Sequence, residues 1–313
     1  MKIYSFFAAN AKRALFLSIC AALISCAGEK DGLQVGILPD VDSIPILAAE
    51  KEGFFEKAGA KVTIVRFSSP VNRDTAFQAG SIDGAVSDML AAILSLNGGF
   101  GVRMTSLTNG SYKLLASKNS GIQKPADIAG RDVAMSLNTI IEYCTDRIAA
   151  EAGLSAESYA KTVIPQIPVR LEMLNAGKVS AATLPEPLAS AAVSGGSGAV
   201  VVAGSEELGI NPGVILFSDA AIKKKGKEIK AFYRAYNMAV DYLGSTDLSD
   251  LEDYLVSEGG FPESVKGVIK LPSYRKATLP DEKEYEAAHA WLLGKKLVSE
   301  TVPFSAAAAG GFF

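Results

Sequence analysis

Residues able to carry covalent or metal chemistry are scarce in this chain. Its 313 residues include one histidine, His289, and three cysteines, of which only Cys144 lies beyond residue 26. One imidazole and one thiol cannot build a zinc site of the usual His and Cys type. A base or nucleophile also needs an activating partner at hand. His289 sits in the amphipathic helical pattern "YEAAHAWLL" and Cys144 inside the helical "IIEYCTD", so both read as packing positions. Asp247 and Asp250, in "STDLSD", pair two carboxylates in a polar stretch that reads as a solvated loop. The nucleophile elbow GxSxG, the phosphate loop GxxxxGK[ST] and a GxGxxG after the first strand are all missing. An all-carboxylate magnesium or calcium site stays open in principle, but no loop has EF-hand spacing. The reading is of a chain without a catalytic centre or cofactor.

Capture of a small molecule asks for less: loops at the carboxyl ends of strands, helix amino termini with free N–H groups, and a few convergent polar or aromatic side chains. Such loops recur here as "PDVDS" after the first strand, "SSP" at 68–70, "SD" at 87–88, "TNGSY" at 108–112 and "SLNT" at 136–139. Capping and turn chemistry explain each one singly. Their recurrence after successive strands is what suggests a site. Glu186, between Pro185 and Pro187, is either a rigid carboxylate facing the sheet crevice or a first-turn charge favoured by the helix dipole.

The elements that would position these loops alternate. "LQVGILP" is a strand, 44–52 a helix with Pro45 in its first turn, "KVTIVRF" a strand, and "DGAVS" a strand running into the helix "DMLAAILSLNGG". A second block repeats the grammar with "RDVAM", a helix over 139–152, a short helix in "VRLEMLNAG", the strand "SAATL", a helix after "PEP", and the strands "AVVVAG" and "GVILFS". Alternation of this kind implies parallel sheets covered on both faces. From residue 223 helices dominate, with Ile229, Phe232, Tyr236, Val240 and Leu243 on one apolar face. The lysines opening that helix read as a solvated leader, and Trp291, the only tryptophan, as packing. Phe54 and Phe55, in "GFFEKAG", read as packing that steadies the first block. Two α/β blocks followed by helices allow either consecutive domains or a middle block inserted into the first; composition does not decide.

The first 25 residues have the form of a signal peptide. Lys2, Lys12 and Arg13 precede "ALFLSICAALIS", an apolar run too short to span a bilayer as a stable helix, and "LISC" puts a small residue before Cys26. Cys26 therefore resembles the modified cysteine of a bacterial lipoprotein, with residues 26–32 as a tether. A plain secretory peptide would explain the segment without a role for Cys26. Cleavage shifts the formal net charge from -3 to about -6. An acidic body of that kind has no evident reason to seek nucleic acid or an anionic bilayer.

Four segments, "GFFEKAGAKVTIVRF", "AFQAGSIDGAVSD", "KPADIAGRDVAM" and "EMLNAGKVSAATLPEPLASAA", resemble in that order the nitrate, sulfonate, taurine and thiamine-precursor type of ABC-transporter substrate-binding proteins. The resemblance spans about residues 33–220. It implies a two-lobed α/β periplasmic-binding-protein type 2 fold: lobe 1 from 33–118 plus 218–313, an inserted lobe 2 from 119–217, and two crossover strands, "KLLAS" and "VILFS", acting as hinges. It implies ligand contacts from Asp40, Ser43, Ser69, Ser87, Asp88, Asn109, Tyr112, Asn138, Thr139 and Glu186. The implied protein is a monomer held at the periplasmic or extracellular face through Cys26, delivering its small-molecule ligand to an ABC permease. Carboxylates near the expected mouth favour a pyrimidine-, thiamine-precursor- or flavin-like ligand over nitrate, sulfonate or taurine. An enzyme on the same scaffold, and a structural or adhesive lipoprotein, are the alternatives.

Overall fold

The computed structural model describes residues 31–313. The expected signal peptide, Cys26 and all but the last two residues of the expected tether lie outside the described residues.

The apolar run at 33 forms β1 (Leu33–Ile37), buried at every position. It is flanked by parallel neighbours, β2 (Val62–Arg66) and β3 (Gly84–Asp88). β2, an edge strand, is only partly covered, with Ile64 its one buried position. The full first sheet has the order β2-β1-β3-β10-β4, with β4 at Val102–Leu107 and β10 at Gly213–Ser218. The second has the order β7-β6-β8-β5-β9, with β5 at Tyr112–Ala116, β6 at Asp132–Met135, β7 at Ala160–Val163, β8 at Ala181–Pro185 and β9 at Val200–Gly204.

Each sheet is parallel except for one strand. β10 runs antiparallel to β3 and β4, and β5 runs antiparallel to β8 and β9. The chain delivers each of these strands on arriving from the other sheet, through 108–111 into β5 and through 205–212 into β10. This corrects the expected lobe boundaries: 112–116, assigned to lobe 1, pairs in the second sheet, and 213–218, assigned almost wholly to lobe 2, pairs in the first. The expected hinges "KLLAS" and "VILFS" hold ladder bonds on both edges and cannot flex freely. The connections just before them, 108–111 and 205–212, are the two stretches that run between the sheets.

Helices cover the sheets. In the first lobe α1 (Ile44–Lys51) and α2 (Phe54–Lys57) are separated by Gly53 at φ 66, so "FFEK" is a helix of its own rather than a last turn. Phe55 stacks on Phe232 with ring centroids 5.7 Å apart, and Phe54 meets Tyr242 edge-on at 5.8 Å. α3 (Pro70–Gln78) and α4 (Met89–Asn97) follow β2 and β3. The second lobe carries α5 (Ile140–Glu151), α6 (Ile167–Asn175) and α7 (Leu188–Ser194).

The chain then returns to the first lobe with α8 (Asp219–Leu243), α9 (Ser249–Ser257), α10 (Glu282–Gly294) and α11 (Phe304–Ala307). α9 begins inside the stretch read as a solvated loop, because Leu251 and Leu255, one turn apart, are fully buried. α10 lies across α5 of the other lobe. There Trp291 Nε1 donates to Asp146 Oδ2 at 3.1 Å, Trp291 meets the Tyr143 ring edge-on at 5.6 Å, and Lys295 pairs with Glu142 at 2.5 Å. Among the described residues no helix is long and apolar enough to cross a membrane.

Gly84 is where the first sheet tolerates no side chain: a Cβ there would lie 2.4 Å from the Phe217 ring and 2.6 Å from the Leu216 carbonyl oxygen. Gly84→Ala is expected to destabilise the protein by about 2–3 kcal/mol through overpacking, read as a lower urea midpoint at unchanged slope.

Candidate functional site

The loops after β1, β3 and β8 and the starts of α3, α5 and α6 meet in one cavity between the lobes. Three carboxylates and two guanidinium groups line it: Asp40, Asp42, Asp88, Arg73 and Arg170, with Ser87, Tyr112 and apolar walls from Ile140, Ile141 and Ile167. Its free volume is about 20 Å³, room for about one water. The lobes are drawn together by Val41 N–H donating to Glu186 O at 2.9 Å and Ile167 N–H donating to Ser68 O at 3.0 Å. As it stands the cavity is too small for an organic solute.

The acidic side is built by capping. Asp40 precedes a short 3-10 turn at Val41–Ser43, and its Oδ1 accepts from the Ser43 amide at 3.1 Å and hydroxyl at 2.9 Å. Asp88 caps α4, accepting from Ala91 N–H at 2.8 Å. The Tyr112 hydroxyl donates to Asp42 Oδ2 at 3.1 Å, joining the two lobes. Burial and the Asp42 charge raise the Asp40 carboxyl well above its ordinary value. Burial raises Asp42 as well, opposed by the Thr108 and Tyr112 hydroxyls. Burial pushes Asp88 up to about 6 against the pull of Arg73.

The basic side has a different character. Arg73 donates from Nε to Asp74 at 2.8 Å and from Nη1 to the Val86 carbonyl at 2.9 Å, leaving Nη2 without a protein partner. Arg170 is fully buried, and none of its three guanidinium nitrogens has a partner. Burial alone pulls its pKa down to about 9, with no carboxylate acting on it. The acids therefore gather around Arg73, and Arg170 stands apart from them.

Of the residues singled out from sequence, Asp40, Ser87, Asp88 and Tyr112 line this cavity. Ser43, Ser69 and Thr139 act one step behind it: Ser43 holds Asp40, Ser69 caps α3 through Asn72 N–H at 3.3 Å, and Thr139 caps α5 through Ile141 N–H at 3.2 Å. Asn138 is exposed, in the left-handed region at φ 57, its amide donating to Glu142 Oε2 at 2.6 Å. Asn109 and Glu186 do not line the cavity. They border a separate groove at the crossing of the lobes, where Asn109 Oδ1 accepts from Arg275 N–H at 3.1 Å and Glu186 Oε2 accepts from Ser190 N–H at 3.0 Å. Glu186 lies just before the N-cap of α7, Pro187, and its carboxylate accepts from an amide of that helix while bordering the groove.

The two arginines escaped sequence reading, although a signal existed. In α6 the buried positions are Ile167, Arg170, Leu171 and Leu174, and in α3 they are Pro70, Arg73 and Phe77. Each arginine occupies the apolar stripe of its helix, where a charged residue is out of place unless it has a partner. His289 and Cys144 are both core: His289 Nε2 accepts from Val302 N–H at 3.1 Å, and the fully buried Cys144 thiol is pushed well up by burial. Among the described residues no group of three His, Cys, Asp or Glu side chains could hold a metal ion.

Two lobes, two crossings and an interlobe cavity define the type 2 periplasmic-binding fold. Solved structures of that fold are similar to the chain. The alkanesulfonate-binding protein SsuA of Xanthomonas axonopodis pv. citri, bound to MOPS, superposes with a TM-score of 0.76 at 20% identity, covering 91% of this chain and 100% of that one. The aliphatic sulphonate-binding protein of Escherichia coli gives 0.73 at 20% identity, covering 88% and 97%. The nitrate-binding protein NrtA of Synechocystis PCC 6803 gives 0.70 at 13% identity, covering 86% and 83%. A search of curated protein sequences returns no match. The chain belongs to the NMT1/THI5-like family, whose profile matches residues 40–246.

The raised Asp88 carboxyl makes a signed prediction. Its folded-state pKa of about 6 lies above the ordinary 3.8, so the folded state is favoured below pH 4 and loses that advantage as pH rises through 6. The charge costs about 3 kcal/mol at pH 7. Asp88→Asn keeps an oxygen for Ala91 N–H and removes the charge. It is expected to stabilise the protein by about 1–3 kcal/mol at pH 7 and to make no difference below pH 4, compared by denaturant titration at the two pH values.

Proposed function

We propose that the chain is the extracytoplasmic solute-binding component of an ABC importer and that its cleft holds a small organic anion of the sulfonate class. The observation that carries this reading is Arg170, a fully buried guanidinium with every nitrogen unpartnered and no carboxylate acting on it. Such a group is costly unless an anion completes it. The open Nη2 of Arg73 and the hydroxyl of Ser87, also unpartnered, are further donors in the same cavity. Structures of similar fold described as alkanesulfonate-, sulphonate- and nitrate-binding support the same class.

The mechanism is capture without a covalent step. Rotation about 108–111 and 205–212 parts the lobes, an oxyanion takes the guanidinium donors, and closure remakes the Val41–Glu186 and Ile167–Ser68 hydrogen bonds. The carboxylates that seemed to argue against an anion are collected near Arg73, and burial holds them toward their neutral forms. Asp40, Asp42 and Asp88 nonetheless favour a second reading, in which the ligand is a partly cationic or pyrimidine-, thiamine-precursor- or flavin-like nutrient. In either case the chain acts as a monomer, tethered outside the cytoplasmic membrane through Cys26 and delivering to a permease.

The test uses the chain from residue 26 onward. Co-purifying compounds are extracted and identified by mass spectrometry, and alkanesulfonates, taurine, nitrate and pyrimidines are titrated while scattering follows compaction. Arg170→Met is expected to lower sulfonate affinity about 100-fold or more while leaving stability unchanged or higher, since it removes an unpaired buried charge. Tight binding of a pyrimidine or flavin that Arg170→Met leaves intact would overturn the anion reading.

A further inference from the structure

The segment "KKKGKEIK", 223–230, holds five lysines and one glutamate. It opens α8, whose backbone breaks from helical geometry at Lys225 (φ -123, ψ 29). Lys225 turns inward, its ammonium donating to Gly32 O at 2.8 Å and to Asp83 Oδ2 at 2.9 Å. Lys223, Lys224, Lys227 and Lys230 are exposed. The bond to Gly32 sets these lysines beside the point where the chain enters its folded body. Phe312 borders the same shallow groove as Lys223, Lys227 and Lys230, and Phe313, packed edge-on against Tyr233, is 50% exposed.

We propose that this lysine and phenylalanine face is the surface the protein turns to the membrane, where it engages anionic phospholipid headgroups. The proposal rests on the reading of Cys26 as the lipid anchor. From Cys26 to Gly32 the chain can extend at most about 20 Å, so an acylated Cys26 keeps the lysines close to the bilayer. An anionic surface attracts each nearby lysine appreciably, within a screening length of about 8 Å. The chain from Cys26 onward, with a formal net charge of about -6 once Lys2, Lys12 and Arg13 are removed, is repelled by such a surface, which leaves this local excess of positive charge as the side that can approach. Aromatic residues beside lysines suit the headgroup layer.

The placement also orients the cleft. Gly32 precedes the amino end of β1, and α8 begins where antiparallel β10 ends at Ser218. Both lie at the end of the first sheet opposite the carboxyl ends of β1 and β3, which feed the cleft. Contact through the lysine face therefore turns the cleft away from the bilayer, toward arriving solute, and delivery to a permease requires that contact to break.

The test is co-sedimentation of the chain from residue 26 onward carrying Cys26→Ser, which contains the whole folded unit Gly32–Phe313, with vesicles of phosphatidylcholine alone or mixed with phosphatidylglycerol. Binding is expected only to the anionic vesicles and should weaken as salt rises. K223Q/K227Q/K230Q is expected to lower it about 100-fold with an unchanged solute titration, and F312S/F313S several-fold with the salt dependence retained. The proposal is overturned by equal binding to both vesicles, by no binding to the anionic ones at low salt, by indifference to the triple substitution, or by capture on soluble polyglutamate alone. The other readings fail separately: the anchor if Cys26 from membrane-extracted full chain carries no acyl mass, the cleft reading if solute titrations are silent while vesicle binding persists.

Discussion

The exchange of one strand in each direction is the constraint on which the rest of this structure depends. β5 enters the second sheet antiparallel between β8 and β9, and β10 enters the first between β3 and β4. Each is held by ladders on both edges, so the two stretches between them carry whatever relative motion the lobes have. The same geometry sets the cavity beside the crossing, and Tyr112, first residue of β5, reaches Asp42 of the other lobe at 3.1 Å. Gly213, first residue of β10, is crowded in turn: a Cβ there would lie 2.4 Å from Thr108 Oγ1. The crossing is therefore closely packed on both strands.

Around that crossing, opposite charges are buried by different means. Asp40 and Asp88 are held by amides at helix starts and Asp42 by the Tyr112 hydroxyl on one oxygen, its Oδ1 being left open, and burial biases all three toward protonation. Arg170 has no such support. Its hydrogen bonding can be completed only by a group from outside the protein.

Most elements could be read from the chain because they follow strong local rules: fully apolar runs for central strands, aspartate or serine before a helix, glycine after it. The site loops were visible for the same reason, since they are the carboxyl ends of those strands. What stayed hidden depends on tertiary partners. The sheet that β5 and β10 join stayed hidden because strand propensity does not say which sheet a strand joins. Glu186 borders a different groove from the cavity because a rigid turn does not specify its direction. Arg73 and Arg170 went unremarked because a helix stripe does not say what it faces, and the start of α9 was hidden because Leu251 and Leu255, which anchor it, follow a polar stretch.

Trp291 lies on α10 of the first lobe, with its indole N–H on Asp146 and its ring against Tyr143 of the second. It is the only tryptophan in the chain. Any movement that separates α10 from α5 changes the polarity and hydrogen bonding of that one indole, so the protein contains a native fluorophore whose emission reports the state of the seam between its halves without a label being added.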